Sequence, residues 1–334
     1  MPFRSPERLL RKLPRWFPSL RGRHAGIVHA PLMNEARMQE LRDHAEALPW
    51  SLIDFQRLAS CPRVGDAPSV FRGQGMEFEE NRTYQPGDEL RLLNWRLYAR
   101  TGEMYTRVLQ EERRPRVFLL ADRRASMRFG TRRQLKATLA AGIASCHAWQ
   151  ARQQALPLGG MILEQSHRWF DPGVGEVALE HLLEGLNSPC EPLALDAIRI
   201  SLEEALQLLI QRLPHGCFLL MISDFRDLDP HSAAPLLQQL VQRHSIRAIQ
   251  VLDPVEQRLP HGGDLLFDDP SATVPIRLPA RDQAMRQDYA DLFSARQAAL
   301  TDCLTGCGIP LQVCTTTDSV EDSLDVLRSV NDAG

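Results

Sequence analysis

The sequence predicts an α/β protein organised on a doubly wound, mostly parallel sheet, and three observations carry that expectation. The run Val117-Phe118-Leu119-Leu120-Ala121 is apolar without alternation and stops at Asp122, the pattern of a strand buried on both faces. A second run, Cys217 to Ser223, stops in the same way at Asp224. From residue 116 onward, runs of strand length alternate with segments of helical periodicity, as in parallel sheets with helical crossovers. Strand, acid, small polar loop, helix is the order that sets functional groups at the carboxyl edge of such a sheet. The two acids are therefore expected in one crevice.

Taken in order, residues 1–25 form a basic arm in which seven Arg and Lys residues face only Glu7, interleaved with Leu9, Leu13, Trp16 and Phe17. Pro14 and Pro18 interrupt any long helix. Such an arm suits peripheral contact with an anionic membrane surface or docking to a partner, and equally a loosely ordered or packed-down terminus. Met38, Leu41, Ala45 and Leu48 repeat at helical spacing within 33–60, with a shorter helix expected after Pro49. Cys61 to Ser69, with Pro62, Gly65 and Pro68, reads as a linker. Residues 1–62 are thus an arm with a helical N-terminal region, and 63–115 a segment of different character that is expected to dock on the sheet. Within it Pro86-Gly87 has turn chemistry, and Ala99–Glu103 reads as a hairpin turn between strands Trp95–Ala99 and Met104–Gln110.

The main domain spans 116–334. Helices are expected over 132–154, 176–186, 201–213, 233–244, 281–305 and 320–330. In the first of these, Leu135, Leu139, Ile143, Cys146 and Trp149 mark the core side. Strands are expected at 158–163, 168–170, 246–252 and 311–314, with short edge strands at 264–267 and 273–278.

Composition narrows the function. The net charge of −3 over 334 residues does not describe a general nucleic-acid binder. Lys12 and Lys136 are the only lysines, so Arg carries nearly all positive charge. Seven cysteines lack any CxxC pair, which fits a reducing, cytoplasmic setting better than a zinc site or a disulfide framework. No apolar run approaches the roughly 18 residues that a membrane helix needs, and no signal peptide is read. Gly73 and Gly75 do not open a helix, and no GxxxxGK[ST] occurs, so neither dinucleotide binding nor P-loop ATP hydrolysis is expected. The histidines show no HxxxH or HExxH spacing and read as surface or cap residues. No Ser–His–Asp set has a nucleophile-elbow context.

Two groups of residues remain. Asp122-Arg123-Arg124-Ala125-Ser126 resembles the D-x-S-x-S loop of the von Willebrand factor A fold, in which an acid and two hydroxyls hold a divalent cation. Oxygen ligands suit such an ion. By this resemblance Asp122, Ser126 and Asp224 match ligand positions, and Ser201 stands loosely where a distant hydroxyl belongs. Arg124 stands in place of the first hydroxyl, with Arg123 beside it. The site is then either a magnesium site or a degenerate one in which guanidinium groups pair with Asp122 and Asp224. Asp253, ending a third strand, reads as a cap.

The second group precedes the sheet. Gly75-Met76-Glu77-Phe78, Arg82-Thr83-Tyr84-Gln85-Pro86-Gly87-Asp88, Asn94-Trp95 and Ala99-Arg100-Thr101-Gly102 occur in order. Together they resemble the signature of the bacterial domain of unknown function 58 family, over about residues 70 to 330. Asn94 departs from the Asp usual there. Many relatives carry membrane-spanning segments ahead of this region, and none is read here. Arg82, Tyr84, Asp88, Arg91, Asn94, Trp95, Arg96 and Arg100 form either a salt-bridge network that fixes the segment or a partner-docking surface.

The resemblance implies a von Willebrand factor A-like sheet and a non-catalytic protein-interaction module, an accessory or adaptor to a MoxR-type AAA+ ATPase in assembling or activating a client protein. The alternative is a divalent-metal-dependent hydrolase that uses Asp122 and Asp224 as ligands.

Overall fold

A computed structural model of the protein describes residues 19–20, 31–48, 76–85, 93–111, 115–190, 200–262, 264–268, 276–279 and 281–331. The chain divides into two compact units, Val64–Arg114 and the remainder.

The larger unit holds a six-stranded sheet. Its centre is β4 (Arg116–Asp122), flanked by β7 (Cys217–Ser223) and β5 (Leu158–Leu163). Beyond β7 come β8 (Ser245–Leu252) and β11 (Leu311–Thr315), and beyond β5 comes β6 (His167–Gly173). All neighbours run parallel except β6, which turns back antiparallel on β5 across Glu164–Ser166. The expected α/β sheet is what forms. The register Ala121↔Ile222 sets Asp122 beside Ser223, with Asp224 one residue further along the same edge.

Every residue of β7, and all of β4 after Arg116, is buried. Alternate residues of each strand feed two cores. Val117, Leu119, Ala121, Phe218 and Ile222 face α3 (Lys136–Gln153), with α1 (Glu35–Ala47), α4 (Glu176–Asn187) and α9 (Val320–Asn331) completing that layer. Phe118, Leu120, Leu219 and Met221 face α5 (Leu202–Arg212), α6 (Pro230–Val241) and α8 (Gln283–Gly306). Each Leu or Phe fully buried this way contributes about 1.5–3 kcal/mol, so the two central strands anchor the unit.

Several expectations need correction. The helix α3 is buried nearly all round, not along one stripe. It is covered on its far side by α1, whose Leu41 and Ala45 are buried and whose Ala45 carbonyl accepts from Gln150 Nε2 at 3.1 Å. Small residues such as Ala137, Ala140, Ala141 and Ala144 let neighbours close in on that helix. His147 is likewise buried in α3, and His244 lies buried at the start of β8. The short strands β9 (Asp264–Asp268) and β10 (Ile276–Pro279) do not extend the main sheet. With β1 (Ser19–Leu20), a piece of the basic arm, they make a separate antiparallel sheet. The rest of residues 1–25, and the helix expected after Pro49, lie outside the described residues.

The smaller unit pairs β2 (Met76–Thr83) with β3 (Tyr105–Glu111) antiparallel. Between them Trp95–Thr101 is a helix, α2, where a strand was expected. Aromatic content favours a strand at that point, but capping prevails. Asn94 accepts the Leu97 N–H at 3.2 Å, and Gly102 closes the helix at φ 74°, donating to the Tyr98 carbonyl.

Candidate functional site

The carboxyl edge of the sheet gathers four acids into two adjoining clusters, one around Arg124 and one around Lys136 with Arg226 beside it. Because β4 and β7 are parallel neighbours that stop together, Asp122, Ser223 and Asp224 arrive at one rim. The chain leaves β4 through Arg123 and Arg124 into a single 3-10 turn, Ala125–Met127. It then passes Gly130, where a Cβ would lie 2.1 Å from the Gln134 carbonyl oxygen, so only glycine lets the loop fold back into α3.

Arg124 is the centre of the first cluster. Its Nε donates to Asp122 Oδ1 at 3.0 Å and its Nη2 to Asp122 Oδ2 at 2.7 Å. Nη2 also reaches Asp227 Oδ1 at 2.9 Å, while Nη1 donates to Asp227 Oδ2 and, at 3.2 Å, to the Ile200 carbonyl. All five guanidinium N–H groups are therefore spent. Asp122 is equally saturated. It accepts from the Arg124 backbone N–H at 3.0 Å and the Ser223 hydroxyl at 2.6 Å, besides the two guanidinium contacts. Asp227 accepts the Leu202 N–H at 3.0 Å, which ties the start of α5 to the same pin. Burial by itself would weaken the guanidinium's hold on its proton, but Asp122 and Asp227 outweigh it and hold the group charged well above its ordinary range.

Lys136 is the centre of the second cluster. Fully buried at the start of α3, it donates to Asp224 Oδ2 at 2.8 Å and Glu256 Oε1 at 2.7 Å. Burial disfavours both charged forms, yet mutual attraction prevails. Asp224 is held well below the usual carboxylate range, chiefly by Lys136 and then Arg226, and Lys136 is raised above its own.

The remaining sequence-predicted residues fall as follows. Arg123 turns away from the crevice and is fully buried under the end of α4. There it donates to the carbonyls of Gly185 and Ser188 and pairs with Glu164 at 3.3 Å, a cation at a helix C-terminus. The expected pairing of Arg123 with the site acids is thus corrected, and Arg124 takes Asp227, not Asp224, as its second partner. Ser126 lies half-buried in the 3-10 turn. Ser201 is the N-cap of α5, accepting the Glu204 N–H at 3.1 Å in a capping box. Asp253 caps the short helix α7 (Pro254–Gln257) and accepts from the hydroxyls of Thr131 and Thr316, each at 2.6 Å.

Of the family-signature group, Tyr84 is half-buried, and Trp95, Arg96 and Arg100 are exposed. Neither Arg96 nor Arg100 joins an ion pair among the described residues. Asp88, Arg91 and the side chain of Arg82 lie outside the described residues.

The residues present do not fit a divalent ion at this edge. The place between Asp122 and the α5 loop is filled by a guanidinium, and Asp224 is committed to an ammonium. Among the described residues no three His, Cys, Asp or Glu side chains converge as metal ligands. Sequence reasoning missed Asp227, Lys136 and Glu256. The one available signal was Lys136 itself, one of only two lysines in a chain that otherwise uses Arg.

A family model described as protein of unknown function DUF58 matches residues 80–299. The chain belongs to the DUF58 family. This DUF58 protein is 29% identical over 286 residues to an uncharacterized protein of Mycobacterium tuberculosis, covering 85% of the chain and 88% of the relative. The same figures hold for an uncharacterized protein of Mycobacterium bovis. Among solved structures, the DUF58 protein is similar to the conserved hypothetical protein BatB from Bacteroides thetaiotaomicron, at TM-score 0.38 and 13% identity, covering 65% of the chain and 98% of that protein. It is also similar to a von Willebrand factor type A structure from Catenulispora acidiphila, at TM-score 0.33 and 10% identity, covering 68% and 43%. No helix among the described residues is long and apolar enough to cross a membrane.

Proposed function

We propose that this DUF58 protein is a non-catalytic interaction module, an accessory to a MoxR-type AAA+ ATPase in the assembly or activation of a client protein. Its sheet edge is a degenerate ion-dependent adhesion site, in which the cation is part of the chain. The observation that carries the reading is the saturation of Arg124 and Asp122, whose donors and acceptors are all engaged within the protein. A hydrolase needs an open coordination position or an unengaged base, and Asp122 and Asp224 offer neither while so paired. Family membership and the resemblance of the signature residues support the ATPase as partner.

The test is reconstitution with a purified MoxR-type ATPase from the same organism. The accessory role predicts co-purification and a change in ATPase rate on adding the chain. No association at micromolar concentrations, or turnover of a generic phosphate ester dependent on Asp122, would overturn it.

A further inference from the structure

The small unit carries a surface whose chemistry the sheet edge does not explain. Successive helical residues turn about 100°. The outward side of α2 therefore runs from Tyr98 through Trp95 and Ala99 to Arg96 and Arg100, all exposed, while half-buried Leu97 lies on the other side. Trp95 is 61% and Tyr98 41% exposed, and their rings meet edge to face with centroids 6.2 Å apart. Met104, just past the Gly102 cap, is 44% exposed. Of the six large apolar side chains that stand exposed among the described residues, these are three, so the exposure is clustered rather than scattered. Beside this stripe stand two guanidinium groups one turn apart, with no ion-pair partner among the described residues. The helix itself carries no acid to answer them.

We propose that this face of α2 is a docking surface for an acidic protein segment, one presenting a large apolar side chain beside carboxylates about a helical turn apart. Trp, Tyr and Arg are the residue types that dominate binding hot spots. The aromatic pair supplies rigid apolar area, and each guanidinium takes a carboxylate in a two-pronged hydrogen bond that fixes its orientation. Polyanions are the poorer match. This face offers two clustered cations, short of the extended basic surface that nucleic acids or anionic lipids require. The inference rests on the reading of the protein as an interaction module, and it does not depend on which protein supplies the segment.

The probe is a synthetic helical peptide with a Leu-Phe face flanked by Glu residues four apart, titrated against the full chain by calorimetry. Controls are its Gln counterpart and a Lys counterpart. The expected result is binding of the Glu peptide at least tenfold tighter than the Gln peptide. That preference is lost in Arg96→Glu/Arg100→Glu and recovered when the charge-reversed variant meets the Lys peptide, with unfolding midpoints unchanged. Trp95→Ala lowers affinity for both matched pairs. Equal affinity for Glu and Gln peptides, no effect of charge reversal, or tighter binding to single-stranded DNA or phosphatidylserine vesicles overturns the proposal. The ATPase separates this proposal from the functional reading. If it binds wild type and the charge-reversed variant alike, the partner stands and this surface falls. If only the peptide swap succeeds, the surface stands and the ATPase assignment falls.

Discussion

Replacing Arg124 by Ala leaves two acids behind without their cation. Asp122 is fully buried and the Asp227 side chain is 8% exposed, so neither recovers its hydration when the guanidinium is lost. Breaking a buried pair by removing one partner costs about 3–5 kcal/mol, and here one cation serves two carboxylates, which puts the change at the upper end of that range. For a unit of this size each kcal/mol moves the unfolding midpoint by about 2 °C, so a drop of about 8–10 °C is expected at pH 7. The pH dependence identifies the cause. Burying two charges without the guanidinium that offsets them is costly, and protonating either one relieves that cost, so acidification narrows the deficit. The difference between variant and wild type should therefore shrink as pH falls from 7 to 5. Arg124→Lys should lie between, because an ammonium is a point charge that cannot span both carboxylates with five directed donors. Scanning calorimetry at several pH values measures all of this. A loss below about 1 kcal/mol, or a deficit that stays constant with pH, would refute the buried-pin argument.

Three further outcomes follow from the same reasoning. Lys136→Met should destabilise by about 3–5 kcal/mol, and Asp224→Asn in that background should restore part of the loss, a non-additivity that a double-mutant cycle reads directly. In wild type the depressed proton affinity of Asp224 contributes stability that is full above the unfolded carboxylate range and lost only in stronger acid; Lys136→Met should shrink that contribution to the part that Arg226 and Arg124 supply, so the loss on acidification is smaller in the variant. Burial lowers His147 to about 4, so the unfolded chain takes up its proton first, and stability falls as pH drops from about 6.5 to 4; His147→Gln should flatten that slope in denaturant titrations, leaving the part due to His244, also lowered to about 4. Gly102→Ala should cost about 1–2 kcal/mol in the small unit, because at φ 74° with open space around it the penalty is backbone strain alone; protection of the α2 amides from hydrogen exchange would report it.

Much of the sheet was legible because its central strands are uninterrupted apolar runs ended by acids, a pattern that few other arrangements explain. That Asp122 and Asp224 share one rim follows from the parallel pairing that such runs imply. The pairing of Arg124 with Asp122 was also within reach, since two residues apart around a strand end leaves little choice. The second partner was not. Asp227 is brought in by the loop through Phe225, a buried residue at φ 52°, and no local pattern announces a left-handed phenylalanine. Lys136 was not legible because a lysine near the start of a helix looks like a solvated end, and the acids that pair with it, Asp224 and Glu256 of α7, come from far along the chain. The α2 helix is hard to read because Trp95, Leu97 and Tyr98 satisfy strand propensity as well as helical, and the Asn94 and Gly102 caps decide it. The all-round burial of α3 depends on α1 covering it, a tertiary fact outside the helix's own periodicity.

The central claim is that a side chain of this protein, Arg124, occupies the position between acids where a free cation would otherwise sit. Titration of Mn2+ into the wild-type chain and into Arg124→Ser, followed by calorimetry, addresses it directly. No heat of binding at the edge for wild type, and one ion bound by the serine variant with loss on adding Asp122→Ala, is the predicted result. A single tight Mn2+ site in wild type that vanishes with Asp122→Ala would contradict it.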